Sequence, residues 1–377
     1  MKEKFVDDKS YDLSLSRTKV SKMLKLSQNI IDIMRLLSHD EHESRIVGGA
    51  VRDSLLGLKP KDIDIATTMR PHDVITKLSN KGYKTFDLGI KFGTVCVLVE
   101  QELVEITTLR VEQTRLGSRH PNVEFITDFR EDALRRDLTI NSMSYCPFED
   151  KIYDYFDGVD HLMSGTVKFV GDPELRIKED PLRILRFFRF ITIFKNSDTR
   201  SLQACIKHKD LLKNLPKERI KSEFDKILEA RNLEVLEMMH ESRVLNIILP
   251  SIEFQRDKFE RLCSLNIKAE RSVMYALLGV KEDSFFSRKE KKFIDELLNN
   301  KKSLRRIWLD HPERLDQFFL FMFSNNECSR EEYLKLKNHE KVVFPVNGKM
   351  LLDQGIPCRE IGLILDSMKD EFLKNLF

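Results

Sequence analysis

The sequence predicts an α+β protein made of two stretches of different character. Up to about residue 196, short strand-like runs such as Ile46-Val47, Thr94–Val99 and Leu103–Leu109 alternate with helical patterns. Beyond Asn196, apolar residues recur at helical spacing with few interruptions. At 377 residues and 33% charged, the chain is too long for one compact core and should form two to four domains.

Composition removes several classes of function. No apolar run nears the ~20 residues that cross a bilayer, and the N-terminal MKEKFVDDKSYDLS lacks the apolar core of a signal peptide, so no membrane association and a cytoplasmic location are expected. Six cysteines, Cys96, Cys146, Cys205, Cys263, Cys328 and Cys358, stand far apart without a C-x-x-C, which predicts free thiols. Net charge is +3, yet Arg176 to Arg231 carries 15 Lys or Arg against 8 Asp or Glu, so the rest of the chain sums to 3 − 7 = −4. That basic segment suits either a polyanionic partner or ordinary solvated helix faces.

In chain order, residues 1–17 are polar and aperiodic and read as a flexible lead-in. Lys19 to Leu37 shows the spacing of an amphipathic helix. The stretch IVGGAVRDSLLGLKPKDIDI, Ile46 to Ile65, then dominates the first half. In a strand, side chains alternate between faces, so Asp62 and Asp64 should converge on one side and Ile63 and Ile65 on the other. Paired carboxylates are ligands for Mg²⁺, and a pair can organise two ions roughly 3.5–4 Å apart. Gly48-Gly49 lets bare backbone N–H groups approach a polyphosphate, and Arg52 is placed to clamp one. A nucleoside triphosphate site follows from that combination.

Pro71 to Gly82 reads as a helix, followed by strands Thr94–Val99 and Leu103–Leu109 around the turn Glu100-Gln101-Glu102. Glu105 is either a third carboxylate beside Asp62 and Asp64 or an exposed strand residue. Arg110 to Glu124 is polar and weakly patterned, so a loop is expected, hinged at Gly117-Ser118. In it Arg115, Arg119 and His120 are candidate latches or solvated charges. A helix is expected to carry Leu134–Asn141, followed by a strand at Lys151–Phe156 and a turn at Asp157-Gly158.

A second dense motif, KEDPLRILRFFRF, spans Lys178–Phe190. On a helical wheel Glu179, Arg183 and Arg186 project within ~60° of one another, Asp180 lies about 60° from Arg183, and Arg189 falls about 180° from Asp180. An acceptor beside a forked donor imitates one edge of a base pair, and an intrahelical salt-bridge ladder satisfies the same spacing. Further helices are expected at Leu202–Leu215, Glu218–Ala230, Leu233–Leu249, Lys258–Val280 and Ser287–Asn299, with joints at Pro216, Pro250 and Pro312. Trp308 and Phe318–Phe321 read as core.

GGAVRDSLLG with DID, EITTLR, RRDLTIN, DYFDGVDHL and EDPLRILRFFRF stand in an order that resembles the class II tRNA nucleotidyltransferases, the CCA-adding enzymes of the polymerase β-like superfamily. The resemblance covers about 45–195, with a weaker echo in FPVNGKMLLDQGI at 344–356. It implies a polymerase β-like nucleotidyltransferase head, a mixed sheet with helices, at 18–160. A neck with the base-reading helix would follow at 161–230, a helical body at 231–340 and a helical tail at 341–377. The implied reaction is template-independent addition of C, C and A to the 3' end of tRNA from CTP and ATP, with release of pyrophosphate and tRNA held by its acceptor arm. Asp62 and Asp64 would hold Mg²⁺, for which Mn²⁺ can substitute; Glu105, by its strand position alone, is the candidate third catalytic carboxylate. Gly48, Gly49 and Arg52 would meet the triphosphate. Arg136, Asp137 and Asn141 would hold sugar and phosphates, Asp180 and Arg183 the incoming base, and Arg186 and Arg189 would complete the pocket.

Asp180 can accept from the exocyclic amine shared by cytosine and adenine, whereas uracil and guanine present a carbonyl there. A bidentate match is worth about 1–3 kcal/mol and an unpaired buried acceptor costs a similar amount, which permits rejection of roughly tenfold to a few thousandfold. LGIKFGTVCVLVE differs from the Arg-rich strand of bacterial poly(A) polymerase. An A-adding specialist and a non-enzymatic tRNA-binding protein on the same scaffold are the alternatives, and the oligomeric state is not legible.

Overall fold

The structure, a computed structural model, describes residues 24–113, 122–280 and 285–377. The lead-in at 1–17, the start of the Lys19–Leu37 helix, Gly117-Ser118 and the candidate latches Arg115, Arg119 and His120 lie outside them. The chain forms two compact units, Met1–Leu215 and Pro216–Phe377.

The first unit is built on a mixed sheet of seven strands. In chain order these are β1 (Ser44–Val47), β2 (Asp64–Thr67), β3 (Thr85–Gly89), β4 (Thr94–Val99), β5 (Glu102–Thr108), β8 (Ser144–Cys146) and β9 (Lys151–Tyr153), arranged spatially as β3-β4-β5-β2-β1-β8-β9. A separate hairpin pairs β6 (Arg110–Gln113) with β7 (Asn122–Phe125). The β2–β5 pair is parallel and its neighbours are antiparallel. Alternation divides the sheet into two faces. Ile46, Ile65, Ile106 and Val95 form one register row, are at most 1% exposed, and each contributes about 1.5–3 kcal/mol by leaving water. Helices α1 (Gln28–Leu37) and α3 (Pro71–Ser79) pack on β1 and β4 and on each other. The next row, Val47, Asp64, Glu105 and Cys96, points to the opposite face. There Val47, Ala66, Leu109 and Phe129 close a second apolar cluster.

Several expectations are corrected. Helix α1 begins at Gln28, because the Ser27 hydroxyl accepts from the Ile30 N–H and caps it there. The ends of the expected 110–124 loop are strands β6 and β7; NVEF alternates polar and apolar residues, but RVEQ holds a single apolar residue. Leu134–Asn141 is not one helix. Helix α4 (Phe129–Leu134) stops, and only Thr139–Asn141 resumes as a 3₁₀ turn. Between them the Asp137 carboxylate takes the Leu138 N–H at 2.8 Å, Leu138 bridges to Phe169, and the Thr139 N–H goes to the Lys168 carbonyl. The strand expected at Lys151–Phe156 ends at Tyr153, and α5 (Gly158–Met163) follows.

The Lys178–Phe190 motif is likewise split, into α6 (Pro173–Glu179) and α7 (Arg183–Phe194). Asp180 precedes Pro181, whose ring disfavours helical geometry in the residue before it, and Asp180 is extended at φ −146, ψ 101. Asp180 and Arg183 therefore do not share a helical wheel.

The second unit is helical throughout its described residues, from Lys217–Glu229 to Cys358–Leu376. The Leu233–Leu249 pattern breaks at Arg243, whose φ is 60, and Lys258–Val280 divides into Arg256–Cys263 and Arg271–Leu277. In the second break the Glu270 N–H is taken by the Gln317 side chain, a bond from a distant helix. Ser287 and Glu290 form a reciprocal capping box, and Trp308 and Phe318–Phe321 are buried as expected. All six cysteines are free. Among the described residues, no helix is long and apolar enough to cross a membrane.

Candidate functional site

Strand β1 ends where Gly48 turns the chain at φ 72, a conformation that glycine adopts without steric cost. Helix α2 (Gly49–Leu55) then leads away, so the residues before Asp64 have no partner on that side. Hence β2 starts at Asp64, and Asp62 lies in the exposed segment leading into it rather than in the strand as expected. The carboxylates still influence one another. Asp64 stands opposite Glu105 in the parallel register, and its carboxyl is pushed above the usual range by burial first, then by the charges of Glu105 and Asp62, against the opposing pull of Arg136. Three acidic groups thus crowd one edge of the open face.

Among the described residues, no group of three or more His, Cys, Asp or Glu side chains is drawn together closely enough to hold a metal ion. Two carboxylates suffice for Mg²⁺ when substrate phosphates complete its shell, which is its usual habit with nucleotides. Repulsion on Asp64 is what a divalent cation would relieve, so the residues present fit such an ion.

Around this edge the structure joins four of the ten expected nucleotide-binding residues, Arg52, Asn141, Asp137 and Arg186, into one chain of bonds. A Cβ added at Gly48 would lie 3.4 Å from Arg136 Nη1, and one at Gly49 would lie 3.5 Å from Arg52 Nη2. Arg52 donates from Nη1 to Asn141 Oδ1 at 2.6 Å and from Nε to Asp53 Oδ1 at 2.8 Å. Asn141 donates to Asp137 Oδ1 at 3.2 Å, and Asp137 Oδ2 accepts from both Nε and Nη2 of Arg186 at 2.6 Å. Burial pushes the Asp137 carboxyl up, but Arg186 and the Leu138 and Asn141 donors outweigh it and leave it below the usual range. Helix α7 adds the ring of Phe190, with the Arg189, Arg52 and Arg186 guanidiniums 4.6, 5.1 and 5.9 Å from its centroid.

Arg183 is fixed by the Glu179 carboxylate at 2.8 Å and by the carbonyls of Arg176 and Arg135 at 3.0 and 2.7 Å. The salt bridge admitted by the sequence is therefore present, though it spans a break between helices. These three bonds use three of the five guanidinium N–H groups and leave two to present to a ligand. Asp180 takes the Leu182 N–H on Oδ1 at 3.2 Å, and its carbonyl takes the Arg183 N–H at 3.0 Å, which ties the two residues together locally.

Three contributors escaped the sequence reading: Asp53, Phe190 and Asp132. The signal for Asp132 was its spacing, three and four residues before Arg135 and Arg136. Nothing in the sequence marked Phe190 off from its phenylalanine neighbours.

Carboxylates on the open face of a mixed sheet, with arginines bordering a Gly-Gly turn, define a nucleotidyltransferase type of head. Comparison with known proteins agrees. The family described as "Poly A polymerase head domain" matches residues 44–168, and "Probable RNA and SrmB- binding site of polymerase A" matches residues 198–255. The mitochondrial CCA tRNA nucleotidyltransferase 1 of Mus musculus is 31% identical over 381 residues, covering 93% of this chain and 87% of its own length. The CCA-adding enzyme of Lactococcus lactis subsp. cremoris (strain MG1363) is 30% identical, with 94% of each covered. Among solved structures, the CCA-adding enzyme of Bacillus stearothermophilus in complex with CTP superposes with a TM-score of 0.70 at 26% identity, over 92% of this chain and 93% of that one. The chain belongs to the CCA-adding tRNA nucleotidyltransferase family, and it is an enzyme of the kind that uses a divalent metal ion.

Proposed function

We propose that this chain adds C, C and A to the 3' end of tRNA from CTP and ATP, releasing pyrophosphate, with Mg²⁺ as the metal. The observation that carries the proposal is the register row placing Asp64 beside Glu105, next to the Gly48 turn and the Arg52–Asn141–Asp137–Arg186 chain.

Asp62 and Asp64 would hold the metal, with Glu105 as the neighbouring third carboxylate. When bound, the ion neutralises phosphate charge and makes the attacking hydroxyl of the tRNA end more acidic. Arg52 and Arg136 border the Gly-Gly turn, where the triphosphate would lie. The Asn141–Asp137–Arg186 bonds hold Arg52 in register with α7, so little reorganisation of that side chain is needed when charge develops. Asp180 and the two remaining donors of Arg183 would present the edge that accepts cytosine or adenine. Mn²⁺ can replace Mg²⁺, and tRNA would be held through its acceptor arm. The finer division into head, neck, body and tail at 160, 230 and 340 belongs to the same proposal.

The purified protein, given tRNA ending at the discriminator base, should extend it by C, C and A. Given tRNA already ending in C-C, it should add A. Extension of the second substrate alone would mark an A-adding specialist, open-ended adenylation a poly(A) polymerase, and binding without extension a tRNA-binding protein. Asp180→Ala should let UTP or GTP compete at a cost of roughly tenfold or more in discrimination. Unchanged nucleotide choice would remove Asp180 from the recognition edge.

A further inference from the structure

Asp132 sits on α4, away from the carboxylate edge, is 2% exposed, and has both oxygens engaged. Oδ1 accepts from Arg135 Nε at 2.8 Å and from the backbone N–H of Arg110 at 3.3 Å, with Arg135 Nη2 2.6 Å away. Oδ2 accepts from Arg136 Nη2 at 3.1 Å and Nε at 3.3 Å. One buried carboxylate therefore joins the base of the β6–β7 hairpin to both arginines of the turn at 135–136.

Each of those arginines leads to a different part of the site. Arg136 borders Gly48 and acts electrostatically on Asp64. The Arg135 carbonyl accepts from Arg183 Nη2, and the adjacent Leu134 carbonyl accepts from Arg176 Nη1 at 2.8 Å. The turn at 135–136 is thus the seat on which the proposed base-reading arginine rests. Burial opposes ionisation of Asp132, but Arg136 and Arg135 more than compensate, and its carboxyl lies below the usual range. Removing that charge takes away the carboxylate that Arg135 and Arg136 share, while the repulsion of Arg135 by Arg136 and Arg110 stays. Like charges this close repel one another, which would push the turn out of its present geometry.

We propose that Asp132 is a positioning residue for nucleotide selection: it sets Arg136 toward the phosphates and, through the Arg135 carbonyl, sets Arg183 toward the base. The proposal rests on the nucleotidyl-transfer reading above. It predicts that removing the charge damages nucleotide affinity and nucleotide choice together, although Asp132 itself would touch no substrate. A purely structural carboxylate would affect stability and the active fraction instead.

The test uses the full chain with tRNA substrate, in steady-state titrations of CTP and UTP. For Asp132→Asn, the expected result is a KM for CTP raised about tenfold or more and a CTP-over-UTP preference reduced at least threefold, with tRNA affinity unchanged. A lowered melting temperature with KM and preference both at wild-type values would overturn the proposal. If Asp132→Asn does not fold, Asp132→Glu keeps the charge while moving it by one methylene group. It should raise the KM for CTP at least threefold, and wild-type KM and preference in that variant would equally overturn the proposal. Should the wild-type chain itself fail to extend tRNA, the parent reading fails first, a result separable from failure of the variants alone.

Discussion

Two regions use the same chemistry, arginine against carboxylate, to opposite ends. In the second unit Arg306 has a side chain only 6% exposed and donates to Asp310, to Asp370, and to both the carboxylate and the carbonyl of Asp366. Lys302 and Lys369 also reach Asp310, and together with Arg306 they outweigh burial and hold its carboxyl well below the usual range. Four of the five N–H groups of Arg306 are spent, so it ties Leu304–Asp310 to Cys358–Leu376. In the first unit Arg186 and Arg136 are paired with Asp137 and Asp132, yet their side chains remain 33% and 18% exposed beside acidic groups that repel one another. A saturated network is a fastener. A network with partly exposed arginines beside unrelieved acidic charge is arranged for a ligand carrying both phosphate and metal.

The largest expected effect breaks the open side of that contrast. Replacing both Asp62 and Asp64 with Ala should lower turnover by about a thousandfold or more, because a metal site supplies several kcal/mol of transition-state stabilisation and each 1.36 kcal/mol is tenfold in rate. Affinity for tRNA, measured by filter binding, should remain, since binding of the proposed polyanionic substrate would draw mainly on phosphate contacts and not on these two carboxylates. Turnover within tenfold of wild type would remove both residues from the metal site. Next in size is Arg306→Ala on the closed side. It should cost about 3 kcal/mol of stability, toward the lower end for a broken buried ion pair because Lys302 and Lys369 still serve Asp310. Denaturant unfolding checks the loss, and the KM for CTP should stay at the wild-type value. A raised KM with unchanged stability would show that the two networks are not different in kind.

Sequence spacing showed the elements of this site better than their partnerships. Strands β4 and β5 were legible because TVCVLV and LVEI alternate or run apolar, and Gly48 because a left-handed turn beside a phosphate site favours glycine. The break at Asp180 was also legible, since Pro181 forbids a continuous helix there, but the spacing of the charged residues obscured it. The break between Leu134 and Thr139 was not, because it is enforced by Lys168 and Phe169 from a later segment. Nor could spacing reveal that Arg52 bonds Asn141, 89 residues away, or that Arg186 bonds Asp137, 49 residues away. Such pairings depend on where the sheet carries each motif. The arms of the hairpin at 110–125 escaped because each is four residues long and RVEQ holds a single apolar residue, too little to set a period.

The sharpest test of the contrast lies inside the first unit, where Asp137 and Asp64 are displaced in opposite directions. The Asp137 carboxyl is lowered in the folded state, so it contributes stability above its unfolded value near 3.9, and that contribution is lost as pH falls through the folded value. Asp137→Asn should therefore lower stability at neutral pH, by about 1.5–3 kcal/mol for hydrogen bonds to a charged group, and the difference from wild type should shrink in acid. The Asp64 carboxyl is raised, so the folded state binds its proton more tightly than the unfolded chain does, and stability is lost as pH rises through the folded value. Asp64→Asn should then raise the melting temperature at neutral pH while abolishing turnover, and the gain should vanish below the unfolded value. Calorimetry of both variants across acid and neutral pH separates the two signs. A fall in melting temperature for Asp64→Asn at neutral pH would mean that its charge is already compensated within the fold, which removes the physical reason for a metal ion to sit there.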